Sequence, residues 1–202
     1  MRIIVTGGFG FIGSSFVNAI GRKSPEVEVL VVDKLTYAAD ASRVNVPNID
    51  FLKKDICDVT AEDLGSYDYI VHFAAESHVD NSIKDGKPFI RTNVEGTFNL
   101  LECAKKNPNL KKFIHISTDE VYGDMEDVGI LAEAHEFYGL KGSSYYSASK
   151  AASDLLVEAA GRTFGLPYLI TRTCNNYGDH QNEEKFIPKI MKSIANDLII
   201  PV

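Results

Sequence analysis

Nearly continuous apolar runs occupy residues 2–5, 27–32, 50–53, 69–73, 112–116 and 168–171 of the chain. Short runs of this kind, rich in Val and Ile and without strict alternation, predict parallel strands buried on both faces. Between them, residues 11–22, 88–106, 144–164 and 186–195 carry apolar positions three and four apart, the period of an amphipathic helix. Pro88 stands where a first helical turn has no use for its N–H, and Gly165-Leu166-Pro167 is a stop signal. Strands and helices alternate. That order predicts an α/β protein with a doubly wound parallel sheet and right-handed crossovers. Residues 123–142 lack a strong period and read as a loop over the site, and residues 197–202 read as the entry to a further strand rather than a polar tail.

Composition narrows the function without naming it. At 202 residues and 45% hydrophobic, the chain can bury a full core as one domain or a little more. A net charge of -7 with no basic stripe argues against nucleic acid or an anionic membrane as partner. Met1 leads straight into a strand pattern, and no apolar run reaches the length of a membrane span, so a cytoplasmic location is expected. Cys57, Cys103 and Cys174 are odd in number and widely spaced, which supports neither a disulfide framework nor a zinc site. The histidines show no metal-ligand spacing either, so no metal is expected and each histidine reads as structural or superficial.

The turn after the first strand reads Thr6-Gly7-Gly8-Phe9-Gly10-Phe11-Ile12-Gly13. Gly7, Gly10 and Gly13 make one glycine spacing, and Gly8, Gly10 and Gly13 the other common one. Bare backbone there lets a pyrophosphate approach the helix N-terminus, whose unpaired amides favour negative charge. Asp33 ends the second strand, where a carboxylate can accept hydrogen bonds from both ribose hydroxyls and repel a 2′-phosphate. NAD is therefore favoured over NADP, although Lys34 next door weakens the exclusion. Asp55 and Ile56 follow the third strand and could meet the adenine, while Phe73, Ala74 and Ala75 end the fourth with room for a cofactor. Together these features predict a Rossmann-type nucleotide site.

Two further clusters carry chemistry. Thr118, Asp119 and Glu120 directly follow the fifth apolar run, so adjacent carboxylates stand at the carboxyl end of a strand, the ligand side of such a sheet. Tyr146 and Lys150 lie four apart at the start of a helix, on one face. A lysine charge near a phenol is expected to lower the phenol pKa and make it a base near neutral pH.

The stretches TGGFGFIGS at 6–14, DKLTYA at 33–38, HFAAESHVDNSI at 72–83, FIRTNVEGT at 89–97, STDEVYG at 117–123, YSASKAASDLL at 146–156, TRTCNNYG at 171–178 and EKFIP at 184–188 resemble the extended short-chain dehydrogenase/reductases. Within them the chain is similar to nucleotide-sugar 4,6-dehydratases of the dTDP-glucose type, because epimerase and decarboxylase relatives typically lack the Asp-Glu pair after the Thr. The resemblance implies NAD as cofactor and an internal redox cycle. Tyr146 takes the proton from the hydroxyl at carbon 4 as hydride leaves to NAD, Glu120 removes the acidified proton at carbon 5, Asp119 protonates the departing hydroxyl at carbon 6, and hydride returns to carbon 6. It also implies that Thr118 holds the oxygen at carbon 4, that Lys150 binds the nicotinamide ribose, and that Thr36, Thr92 and Asn175 lie at the cofactor. Ser77, Asn93, Asn176, Glu184 and Lys185 would begin the nucleotide-sugar site. Relatives commonly dimerise through the helices matching 88–106 and 144–164, which implies a homodimer.

Several features depart from the family pattern. Family members continue into a smaller carboxy-terminal substrate lobe, here largely missing, so residues 1–202 are expected to form the NAD-binding domain with the catalytic residues, and the substrate region to begin at about 175. Tyr145 and Glu183 stand where Pro is usual, and residues 132–142 differ from the usual approach to the helix. Three readings stay open: a 4,6-dehydratase acting on a dTDP- or UDP-sugar, an NAD-binding module without turnover, and a UDP-sugar 4-epimerase or decarboxylase.

Overall fold

The computed structural model describes residues 1–123 and 142–199. Six strands, β1 (Arg2–Thr6), β2 (Glu28–Asp33), β3 (Ile49–Lys53), β4 (Tyr69–His72), β5 (Lys112–Thr118) and β6 (Tyr168–Thr173), form one sheet. Their order is β3-β2-β1-β4-β5-β6 and every pairing is parallel. The chain reverses its direction of growth between β1 and β4, so a crevice opens at their carboxyl ends. Helices α1 (Phe11–Lys23), α2 (Ala61–Leu64), α3 (Val79–Lys84), α4 (Lys87–Phe89), α5 (Thr97–Lys105), α6 (Tyr145–Phe164) and α7 (Phe186–Ala195) complete the described elements. Among the described residues no helix is long and apolar enough to cross a membrane.

The continuous apolar runs have a simple cause. Successive strand residues point to opposite faces, and both faces are covered. Ile4, Leu30, Val32, Ile70 and Phe113 pack on one face with Leu100 of α5 and Val157 of α6, whereas Ile3, Val5, Val29, Val31 and Val71 pack on the other with Val17 of α1. The edge strands differ from the expectation of two buried faces. Phe51 of β3 is 43% exposed and Leu169 of β6 is 49% exposed, because each edge strand has only one neighbour.

One predicted helix is irregular. Residues 88–106 do not form a single α-helix; between α4 and α5 the backbone runs as a π-helix over Ile90–Gly96. The wider turn brings the adjacent Thr92 and Asn93 both inward, and both are buried. The α6 helix is better anticipated. Ser144 accepts from the Ser147 amide at 3.1 Å while the Ser147 hydroxyl accepts from the Ser144 amide at 2.8 Å, a reciprocal cap, and Gly165 ends the helix in the left-handed conformation at φ 68°. The loop expected at 123–142 falls almost wholly outside the described residues. Of the expected last strand, Leu198 and Ile199 are not in a strand, and 200–202 lie outside the described residues.

The unequal burial predicts unequal stability effects. Phe113→Ala should cost ~3–5 kcal/mol and Leu169→Ala less than about 2 kcal/mol, read as shifts of the urea midpoint at constant slope. Similar losses for both would show that β6 is buried in solution.

Candidate active site

Glycine allows three backbones to meet at the crevice. Gly7 adopts φ 68°, and a Cβ on it would lie 2.6 Å from the Ala74 amide nitrogen at the end of β4. A Cβ on Gly13 would run into the Gly7 carbonyl, so only bare backbone lets the first turn of α1 pack against the β1 turn. The N-terminus of α1 therefore faces the cleft without side chains in front of it, which leaves its amides available to an anion.

Two adjoining cavities line the carboxyl edge of the sheet. The smaller, of about 100 Å³, is bordered by Gly7, Gly10, Asp33, Lys34, Thr36 and Asp55, with Ile56, Phe73, Ala74, Ala75 and Thr92 completing its wall. Asp33 is buried, with Oδ2 accepting from the Phe9 amide at 3.1 Å and Oδ1 from the Leu35 amide at 2.8 Å. Its carboxylate is thereby fixed at the rim. Lys34 lies 3.5 Å from Asp55 and 3.7 Å from Glu76, and donates to Thr92 Oγ1 at 3.2 Å. Its charge is matched by these neighbours, so the corner around Asp33 stays net negative.

The larger cavity, of about 270 Å³, runs from Gly7, Gly10, Phe11, Ile12 and Gly13 across to Thr118, Glu120, Tyr146 and Lys150. Phe73, Ala75 and Ser77 border it from the β4 side, and Asn175, Asn176, Glu184 and Lys185 from the segment after β6. Two sequence-predicted residues stand apart. Asn93 borders neither cavity; its amide donates to the Glu76 carbonyl at 3.0 Å and to Ser149 Oγ at 2.8 Å, while its oxygen accepts from the Glu76 amide at 2.8 Å. The π-turn carries it inward, so it braces the loop after β4 against α6 rather than facing a ligand. Asp119 is also absent from the cavity wall and accepts from Thr118 Oγ1 at 3.3 Å.

The candidate reacting groups gather at the end of β5. Thr118 is its last residue, and its hydroxyl accepts from the Glu120 amide at 3.3 Å, which caps the short 3-10 turn Asp119–Tyr122. That cap turns Glu120 into the cavity. Burial raises the Glu120 pKa, the Asp119 charge adds to the rise, and Lys185 opposes it. Burial likewise drives the Tyr146 phenol up to about 12, against a hydrogen bond with Thr118 and with the charges of Glu120, Asp119 and Asp154 adding to the rise. The phenol pKa is thus raised rather than lowered, and Lys150 is not among the groups that move it. The lysine donates at 2.8 Å to the Ile116 carbonyl and lies 3.4 Å from His115 Nε2, and its own pKa falls to about 8 through burial.

Sequence reasoning missed the wall residues Tyr37, Arg43, Cys174, His180, Gln181 and Asn182. Their chemistry is generic and their positions depend on how loops fold back, although Tyr37 lies inside the DKLTYA stretch. It also set His115 aside and passed over Asp154 and Arg172, which lie behind Lys150. The spacing of Asp154, one helical turn beyond Lys150, was the available signal.

The profile of the NAD dependent epimerase/dehydratase family matches residues 3–202. The chain belongs to this family. Among curated members, it is 45% identical to the low-salt glycan biosynthesis protein Agl12 of Haloferax volcanii, covering 100% of this chain and 65% of that protein. It is 44% identical to a probable dTDP-glucose 4,6-dehydratase of Sinorhizobium fredii, covering 100% of this chain and 61% of the relative. Among solved members, a DesIV double mutant, a dTDP-glucose 4,6-dehydratase of Streptomyces venezuelae with NAD and DAU bound, superposes with a TM-score of 0.91 at 44% identity over 100% of this chain and 64% of that one. The chain thus spans under two thirds of the length of these family members.

The coupling of the two carboxyls is directly measurable. In Asp119→Asn the Glu120 carboxyl should titrate at lower pH than in the wild type, because one of the two causes that raise its pKa is gone. Carbon NMR of labelled glutamate carboxyls reads this midpoint, and an unmoved midpoint would show that burial alone sets it.

Proposed function

We propose that this chain is the NAD-binding and catalytic part of a nucleotide-sugar 4,6-dehydratase that converts dTDP-glucose to its 4-keto-6-deoxy product. The observation that carries the reading is the Thr118-Asp119-Glu120 turn, which brings a carboxyl with a raised pKa into one cavity with Tyr146 and Lys150. The relatives point the same way. Solved dTDP-glucose 4,6-dehydratases match at 37 to 45% identity, and solved 4-epimerases at 27 to 31%. We assign residues 1–202 to one domain, with the substrate region starting at about 175.

The residues present fit NAD. The bare N-terminus of α1 suits a pyrophosphate, the fixed Asp33 carboxylate suits a ribose diol, and Lys34 is matched by Asp55 and Glu76 rather than left open to a 2′-phosphate. When bound, NAD would supply the hydride acceptor and donor for the sugar. Gly7, Gly10 and Gly13 would face its phosphates, Asp55, Ile56 and Thr92 its adenine side, and Asn175 its nicotinamide side.

The roles are those the family resemblance implies. Tyr146 takes the proton of the carbon 4 hydroxyl, with Thr118 holding that oxygen. Once carbon 4 is a ketone, the carbon 5 hydrogen is acidic, and Glu120, whose raised pKa makes it a stronger base than an ordinary carboxylate, removes it. The family resemblance assigns Asp119, which lies just off the cavity wall beside Thr118, to protonate the hydroxyl leaving carbon 6. Asn176, Glu184 and Lys185 begin the wall that receives the nucleotide sugar.

A homodimer is part of the proposal. Ile90 and Phe98, flanking the helix from the π-turn into α5, and Tyr145, Leu155 and Phe164 of α6 are exposed apolar side chains on the two helices through which relatives pair. We place the protein in the cytoplasm.

Incubation of the whole protein with dTDP-glucose and with UDP-glucose tests the reaction and the nucleotide together. A 4-keto sugar from dTDP-glucose is expected, and an epimer without any keto product would overturn the reading. Tyr146→Phe should lower turnover ~10²- to 10⁴-fold at the first proton transfer. Glu120→Gln should still oxidise carbon 4 and then stall, seen as reduced-cofactor absorbance without a 6-deoxy product. A common stopping point for both variants would contradict the division of roles.

A further inference from the structure

Behind Lys150 lies a buried charged network that does not touch the cavity. Lys150 is 4% exposed, and its two contacts on β5 are the Ile116 carbonyl at 2.8 Å and His115 Nε2 at 3.4 Å. Neither contact is a carboxylate. A buried ammonium in such surroundings needs a compensating charge. Asp154 stands one helical turn further along α6, is 0% exposed, and lies with Oδ1 3.3 Å from the same His115 Nε2. The same ring nitrogen of His115 thus lies within 3.4 Å of both the ammonium and the carboxylate.

The far side of Asp154 is equally fixed. Arg172 of β6 donates from Nε to Oδ2 at 2.8 Å, and is itself met by Glu158 at 3.6 Å and by the Tyr122 hydroxyl at 3.2 Å. From β4, His72 packs against His115 with ring centroids 5.3 Å apart, and burial keeps both imidazoles neutral. On the cavity side the charged groups near Tyr146 are Asp119 and Glu120. None of His115, Asp154 and Arg172 borders either cavity.

We propose that Asp154 is a positioning residue, the buried counter-charge that, past the shared His115 nitrogen, keeps Lys150 protonated at the wall of the cofactor cavity, while Arg172 tempers its strength. This rests on the proposed function only for what Lys150 does in turnover. The electrostatic role is independent of substrate. Burial of Lys150 favours its neutral form, and Asp154 is the opposing influence. Without Asp154 the lysine should be neutral at lower pH, and the α6 face would present an amine where the site needs a cation.

The test reads the protonation of Lys150 directly. Reductive methylation with formaldehyde and cyanoborohydride labels the neutral amine, and peptide mass spectrometry follows the rate at Lys150 against pH. The wild-type midpoint is expected at about 8. In Asp154→Asn it should fall by about 1 pH unit or more, the usual effect of losing one close opposite charge. In Asp154→Glu, which keeps the charge, it should stay near the wild-type value. A packing role alone would lower the melting temperature of both variants and leave the midpoint in place. An unmoved midpoint in folded Asp154→Asn overturns the proposal. Should that variant not fold, Arg172→Gln, on the partly exposed side of the network, should move the midpoint upward, and an unmoved or lowered value there overturns it too. Failure to form a keto sugar would count against the dehydratase reading and leave these midpoints untouched.

Discussion

β5 is held by parallel ladders on both sides, with His115 opposite His72 of β4 and Ile170 of β6, and Thr118 opposite Thr173. The position of every proposed reacting group follows from that register. A slip of one residue would carry Phe113 from one packed face to the other and reverse every side chain of the strand. With the register fixed, Thr118 ends the ladder beside the cavity, the following turn carries Asp119 and Glu120, and the Ile116 carbonyl points at Lys150. The α6 helix then needs only its reciprocal cap to bring Tyr146, Lys150 and Asp154 along one face toward the strand.

Much of this was legible because the signals are local. Strands buried on two faces write themselves as unbroken apolar runs, and a glycine turn followed by an acid at the end of the next strand describes a site that few other arrangements need. The carboxylate step after β5 was visible for the same reason: charge directly after a buried strand has few places to go. The edge strands were less legible, since Phe51 and Leu169 belong to runs as apolar as those of the centre, and exposure depends on the neighbour they lack.

What stayed hidden depends on contacts distant in sequence. The π-turn at Ile90–Gly96 leaves no clear mark in composition, yet it decides that Asn93 braces Glu76 and Ser149 instead of facing a ligand. The effect of Lys150 on Tyr146 was misjudged for a related reason. Spacing places the two on one face, but burial and the direction of the ammonium, toward Ile116 and His115, are properties of the packed structure. His115 looked unremarkable because its importance comes from Asp154, 39 positions away by the numbering.

The arrangement of charge around the cleft also explains why the Tyr146 site needs a network rather than a single lysine. Tyr146 faces carboxylates, which the proposed elimination requires and which oppose ionisation of the phenol. A cation placed in solvent would be screened, and a cation buried alone would lose its proton. Burying Lys150 in front of Asp154 satisfies both conditions, because the pair keeps a positive end toward the cleft while the negative end is tied to Arg172 on the far side. The carboxyls of the proposed elimination can then lie close to the phenol without disabling it, since the lysine draws its counter-charge from behind and not from Glu120.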